Sequence, residues 1–243
     1  MKPRATIDGS RATSHESRAT KEPQNQPQYD VYKEHGPIQF GPWTSASFRS
    51  DPKRFVFQLA RYKFCAKMLQ GKSKVLEVGC GDAPGVPIVL QAVGSIHGID
   101  VEPLVIEDNL ARFKNENLDP LSFALHDLIK KPLPKKFDAA YSLDVIEHIP
   151  TEMEKNFMKN LCRSLNPQAV CILGTPNQAA EAHASPFSIE GHVNLKNAET
   201  LKGLLGRYFH NVFLFSMNDE VVHTGFYPMA HYLLGIGVGV RKT

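Results

Sequence analysis

Residues 75–85 constrain this chain more than any other stretch. Val75-Leu76-Glu77-Val78 is short and mostly apolar, and it runs without a break into Gly79-Cys80-Gly81-Asp82-Ala83-Pro84-Gly85. Such a run reads as a buried strand. Glycines open backbone angles that other residues avoid, and Pro84 suits the first turn of a helix. A strand that turns this tightly into a helix points to an α/β arrangement, because the helix returns along the face of the sheet it has just left.

The pattern continues downstream. Short apolar runs predict strands at residues 74–79, 95–100, 121–125, 137–142 and 170–174, with helical stretches between them, the order of βαβ units and a mainly parallel sheet. The clearest helix is predicted over residues 151–165. There Thr151 and Glu154 match a capping box, and Met153, Phe157, Met158, Leu161 and Leu165 form one apolar stripe. Upstream, Asp51 and Pro52 mark a helix start, and Phe55, Leu59, Tyr62, Met68 and Leu69 follow near helical spacing as far as Gly71. The last third predicts a loop rich in His, Ser and Pro, a helix near residues 198–207, and two late strands near 212–216 and 231–240. These two are expected to pair antiparallel at the sheet edge.

Three segments follow from composition. Residues 1–28 carry Met1 and Ile7 as their only large aliphatic side chains and repeat Arg-Ala-Thr from Arg4, Arg11 and Arg18, so a disordered leader is expected. Residues 29–50 bring Tyr29, Tyr32, Phe40, Trp43 and Phe48 among Gly36, Pro37, Gly41 and Pro42, a pattern of ordered loops that would form an aromatic lid or connector. The folded domain proper is expected over residues 51–243.

The chain has 243 residues, 42% of them hydrophobic, enough for a sizeable core, and its net charge of +3 lacks the one-sided basicity of a protein that lives on nucleic acid. No nucleic-acid partner is expected. Cys65, Cys80, Cys162 and Cys171 form no C-x-x-C pair and read as thiols of a reducing compartment. No apolar run approaches the ~20 residues that span a bilayer, so no membrane insertion and a cytoplasmic location are expected.

The glycine turn alone is a common device, but a second feature accompanies it. The predicted second strand ends His97-Gly98-Ile99-Asp100, which places a carboxylate about 20 residues beyond the glycines, where it can accept from both hydroxyls of a ribose. Together they imply an adenosine-containing ligand. Gly79, Gly81 and Gly85 are spaced one residue wider than the G-x-G-x-x-G of dinucleotide dehydrogenases, and Glu77 stands where those enzymes carry an apolar residue. A carboxylate there can hold the turn or face an ammonium group.

These residues, with His126-Asp127-Leu128 and the stretch Phe137-Asp138-Ala139-Ala140-Tyr141-Ser142-Leu143-Asp144-Val145-Ile146-Glu147-His148, resemble the motifs of class I S-adenosylmethionine-dependent methyltransferases, in the right order. The likeness runs from about Arg54 to the C-terminus. Asp-Val-Ile-Glu-His is most similar to the branch that holds the ubiquinone-biosynthesis O-methyltransferases and many small-molecule and sugar methyltransferases. The resemblance implies a Rossmann-like, mostly parallel seven-stranded sheet with helices on both faces and an antiparallel C-terminal edge hairpin. It implies S-adenosyl-L-methionine as cofactor and a small-molecule acceptor methylated on oxygen, less readily on nitrogen. An inactive cofactor-binding module and a nicotinamide oxidoreductase are the alternatives.

Residue by residue, the resemblance places Gly79 and Gly81 at the methionine part of the cofactor and Asp100 at the ribose, with Glu77, Cys80 and Val101 also among the cofactor-binding residues. Asp127 and Leu128 would frame the adenine, Leu143 would lie beside the sulfonium, and Arg61 would reach the cofactor carboxylate. Methyl transfer needs alignment and removal of a proton from the acceptor. His192, in Ile189-Glu190-Gly191-His192-Val193-Asn194, is the first candidate base because histidine titrates near neutrality, and His148 is its rival. His183, His192, Asp219, Glu220 and His223 match no metal-binding spacing, so no metal is expected.

Overall fold

The computed structural model describes residues 20–114, 116, 118, 120–184 and 186–242. Two units make up the chain, Met1–Gln39 and Phe40–Thr243. In the first, a 3₁₀ turn at Pro23–Asn25 leads into helix α1 (Gln26–His35), which stops at Gly36 with φ +74°. The leader expected over residues 1–28 lies outside the described residues as far as residue 19, and from Pro23 its end is helical rather than disordered.

The second unit opens with α2 (Pro42–Ser50) and α3 (Pro52–Met68), so the loops expected over residues 29–50 are largely helical. Pro42 and Pro52 each sit in a first turn, where their missing N–H costs nothing; Pro52 starts the helix expected there, whereas Pro42, read as a loop residue, starts one as well. Asp51 caps α3 as expected, its side chain accepting from the Lys53 amide. Beyond it come β1 (Val75–Val78), α4 (Val86–Leu90), β2 (Ile96–Asp100), α5 (Pro103–Arg112), β3 (Leu121–Leu125), β4 (Phe137–Leu143), α6 (Thr151–Arg163), β5 (Leu165–Pro176), α7 (Pro186–Gly191), α8 (Ala198–Tyr208), β6 (Phe209–Asn218), β7 (Val221–His223) and β8 (Tyr232–Val240).

The described strands form one sheet in the order β3-β2-β1-β4-β5-β8-β6-β7. Strands β1 to β5 run parallel, whereas β8 pairs antiparallel with both β5 and β6, and β7 pairs antiparallel with β6. The two late strands expected to pair antiparallel are β6 and β8, which do so over most of their length. Eight strands replace the seven expected: the extra one is β7, three residues long and too short to register as a period, which pairs antiparallel with β6 at the very edge. Helices cover both faces: α3 and α4 pack with Val75, Ile96 and Tyr141, while α6 and α8 pack with Leu76, Val78 and Leu173. All four cysteines are buried and free.

The capping box expected at the start of α6 does not form; Pro150 is the N-cap, with no side-chain bond. Glu154 instead accepts from the Lys196 ammonium at 2.5 Å and from the Asn194 amide at 3.1 Å. Lys196 is buried, and a buried ammonium demands a counter-charge more strongly than a helix end demands a cap. The consequence is positional. This ion pair, with the Asn194 N–H donating to the Glu147 carbonyl at 2.9 Å, pins the 192–196 loop against the end of β4.

Candidate functional site

Strand order reverses between β1 and β4, with β2 following on one side of β1 and β5 on the other side of β4. At such a switch point the loops diverge and leave a crevice beyond the strand ends. The crevice here is built on the glycine turn. Gly79 has φ +70°, and a Cβ on it would lie 2.2 Å from the Val145 side chain; Gly81 has φ +51° and lies against the Trp43 ring. Both positions favour glycine for backbone angle, and Gly79 requires it for space as well.

Two cavities meet at Gly79, Trp43 and Asp144. One, of about 540 Å³, is bordered by Asp100, Val101, Asp127, Leu128, Val145 and His148. The other, of about 340 Å³, is bordered by Arg61, Cys80, Gly81, Leu143, Glu147 and His192. A third, of about 730 Å³, shares Arg54, Phe57, Pro176 and His192 with the second and extends to His183, Met229 and His231. A further cavity of about 810 Å³ lies at the opposite end of the strands, beside Lys74, Ile96 and Phe137, remote from the glycine turn.

The sequence-predicted residues divide over these cavities. Asp100 lies at the edge of the first, its two oxygens accepting from the Gly81 amide at 2.9 Å and the Glu102 amide at 3.0 Å, so it holds the turn and retains lone pairs for a further donor. Asp127 accepts from the Ile129 amide and pairs with Lys130 at 3.1 Å, a turn carboxylate that also borders the cavity. Val101 is exposed and Leu128 is buried. Cys80 is buried with its thiol pushed well up by burial, and so it is an unreactive wall.

Glu77 borders neither cavity of the turn. It is buried behind the strand, and one carboxylate oxygen has no partner. Burial pushes its carboxyl up to about 8, with the nearby Tyr141 and Tyr62 hydroxyls working the other way. Between the ordinary carboxylate value and about 8 the folded protein holds a proton that the unfolded chain has released, so stability falls as pH rises through that window. Thermal melts between pH 5 and pH 8 should therefore show a decline in the parent of up to about 1.4 kcal/mol per pH unit from this group, and a shallower one in Glu77→Gln. An identical slope in both proteins would contradict the assignment.

Arg61 faces inward. Its guanidinium pairs with Asp144 at 2.5 Å and lies 3.7 Å over the Tyr232 ring, while its Nε has no partner. Asp144 holds φ +56°, a left-handed angle uncommon outside glycine, so the Arg61 pair compensates local strain at the mouth of β4. Arg61, expected at a cofactor carboxylate, thus pairs with Asp144 while bordering the cavity, and Arg54 and Gln58, on the preceding turns of α3, border it too.

His148 and His192 converge, ring centroids 5.1 Å apart, with His148 Nδ1 2.8 Å from the Gly191 carbonyl. Burial and the neighbouring His148 pull the His192 pKa down, with Asp144 and Glu181 opposing, so its imidazole is neutral and able to accept a proton at neutral pH. Glu147 is fully buried. One oxygen accepts from the Thr175 hydroxyl at 3.0 Å and the other has no partner. Among the described residues, Glu147, His148 and His192 each offer a ligand atom within 4.8 Å of the others, a donor set that suits a divalent cation. Sequence spacing missed this trio because His192 arrives from a separate loop. Of the five residues weighed for metal in the sequence, His192 alone belongs to it. Thr44 and Asp82 were also missed, and Trp43, expected in the aromatic lid or connector, was not expected at the glycine turn: tertiary contacts that no local pattern announces join the turn to α2.

A family model described as a methyltransferase domain matches residues 50–208. The mitochondrial ubiquinone biosynthesis O-methyltransferase of Schizosaccharomyces pombe is 26% identical over 144 residues, 57% of this chain and 49% of that protein. The chain spans about half the length of the curated relatives it matches. Among solved structures, the methyltransferase domain of bacterial CtHen1-C aligns with a TM-score of 0.63 at 20% identity, covering 75% of this chain and 99% of that one. The N-methyltransferase NodS of Bradyrhizobium japonicum, in complex with S-adenosyl-L-homocysteine, aligns with a TM-score of 0.56 at 19% identity, covering 75% and 85%. These structures share the fold. With the family match spanning most of the chain, the glycine turn, the acid that ends β2 and the switch-point crevice belong to a member of the class I S-adenosylmethionine-dependent methyltransferase family.

Proposed function

We propose that this protein transfers the methyl group of S-adenosyl-L-methionine to an oxygen of a small-molecule acceptor. The observation that carries this reading is His192, which borders both the cavity at the glycine turn and the separate cavity that reaches Met229 and His231. In this reading the methionine part of the cofactor occupies the cavity beside Gly81 and Leu143, and the adenosine part lies along Asp100, Asp127 and Leu128. The acceptor enters through the third cavity, lined by Phe57, Pro176 and Met229, and presents its hydroxyl at His192. The chain's task is to hold oxygen, methyl carbon and sulfur in line while His192 takes the hydroxyl proton. The ubiquinone-biosynthesis relatives favour oxygen as the methylated atom. No helix among the described residues is long and apolar enough to cross a membrane.

A second reading of the same step rests on the Glu147, His148 and His192 trio. Held there, a divalent cation would lower the pKa of an acceptor hydroxyl. Glu147 would then supply its unpartnered oxygen, and the two histidines would act as ligands. The experiment is methyl transfer from labelled cofactor to a panel of phenols, catechols, sugars and amines, run with and without a chelator. Transfer to a hydroxyl supports the main reading, chelator-sensitive transfer supports the second, and label appearing only on nitrogen acceptors overturns both.

A further inference from the structure

Helix α2 is fastened to the glycine turn from outside. The Asp82 carboxylate, directly after Gly81 and only 3% exposed, accepts from the Thr44 amide at 2.7 Å and from the Thr44 hydroxyl at 2.8 Å. Its carbonyl accepts from Arg112 at 2.6 Å, and Arg112 is itself paired with Asp108 at 2.9 Å. A Cβ on Gly41 would lie 2.4 Å from that of Asp82 and 2.9 Å from Arg112, so the start of α2 sits against the turn with no room between them. One carboxylate thus satisfies the first turn of a helix about 40 residues upstream, a contact that serves α2 only if its position matters.

Trp43 is what this clasp positions. It precedes Thr44, its ring lies 3.1 to 3.2 Å from where a Gly81 side chain would begin, and it borders both cavities of the turn. Yet 53% of it is exposed. A large indole held at the junction of two cavities with half its surface in water still has apolar surface to bury, and an adenosyl sulfonium offers an apolar body with a positive centre suited to an aromatic face. We propose that Trp43 is a cofactor contact that covers the junction of the two cavities, and that Asp82 and Thr44 are positioning residues that hold it there. The inference rests on the cofactor assignment under the proposed function. It gives the aromatic lid or connector expected from the sequence a definite place: Trp43 borders the two cavities of the glycine turn, and the third cavity does not include it.

Trp43 is the sole tryptophan of the chain, so its emission reports on this position alone. The full-length protein is titrated with S-adenosyl-L-homocysteine, with binding followed by calorimetry, by Trp43 emission and by acrylamide quenching. We expect a saturable emission change at the calorimetric affinity and a fall in acrylamide accessibility. Trp43→Ala should bind about 10-fold more weakly or worse, as loss of a buried aromatic contact implies. Thr44→Val, which keeps shape and loses one hydrogen bond, should weaken binding by roughly 3- to 10-fold and reduce the protection of Trp43. Calorimetric binding with unchanged emission and accessibility, or a Trp43→Ala affinity within about twofold of the parent, where one buried contact predicts more, would overturn the proposal and leave the cofactor assignment intact. Absence of binding to the parent would overturn both.

Discussion

Replacing His192 with alanine should lower turnover by about 10²- to 10⁴-fold, the usual worth of a positioned general base, while binding of S-adenosyl-L-homocysteine stays near the parental value. The expectation combines three features of the site. His192 stands where the glycine-turn cavity meets the cavity assigned to the acceptor. Burial and His148 keep it neutral. Its loop is pinned by the buried Lys196–Glu154 pair, so removing the imidazole should cost chemistry rather than fold. His148→Ala is the companion measurement. His148 binds the Gly191 carbonyl that leads into the same loop, so its loss should disturb His192 and lower thermal stability together. A His192→Ala enzyme that keeps more than about a tenth of the parental rate, less than the loss of a general base implies, would move the base to another residue.

Gly79→Val should abolish useful cofactor binding. A β-branched residue at φ +70° is strained by backbone alone, and its Cβ would fall 2.2 Å from the Val145 Cγ2 in a wall with no slack. Strain and overpacking together cost about 2–5 kcal/mol, which reads as roughly 30-fold or greater weakening if the fold survives. Calorimetry with S-adenosyl-L-homocysteine measures it, and circular dichroism distinguishes a lost site from a lost fold. Affinity unchanged in a folded Gly79→Val protein would remove the cofactor from this turn.

The parallel half of the sheet was legible because its strands are short, apolar and separated by helical stretches. Residues 121–125 match β3 at both ends, and β1, β2 and β4 fall within a residue of their expected limits. The glycine turn and Asp100 were legible for a related reason: a backbone that must adopt positive φ beside a strand end leaves few residue choices, and the acid that ends β2 follows it by the length of one helix and one strand. Helices α1 and α2 were not. Their glycines and prolines are loop formers on average, and only position within the first turn converts a proline from breaker to initiator. Strand β7 exists because β6 offers an open edge to three residues, which no periodicity can announce.

The sequence by itself thus determined the α/β class, the strand that carries the turn, the glycines whose positive φ makes that turn, and the identity of two histidines near the strand ends. Those features depend on local backbone geometry and on neighbours within one supersecondary unit. Tertiary structure alone decided which charges are already spent. It turned Arg61 onto Asp144 and Tyr232, drew Glu154 away from a cap to neutralise Lys196, brought His192 beside His148 and Glu147, and fastened Trp43 over the turn through Asp82. A buried charge takes whichever partner the packed fold brings within reach, and that partner is set by the register of distant elements rather than by any spacing along the chain.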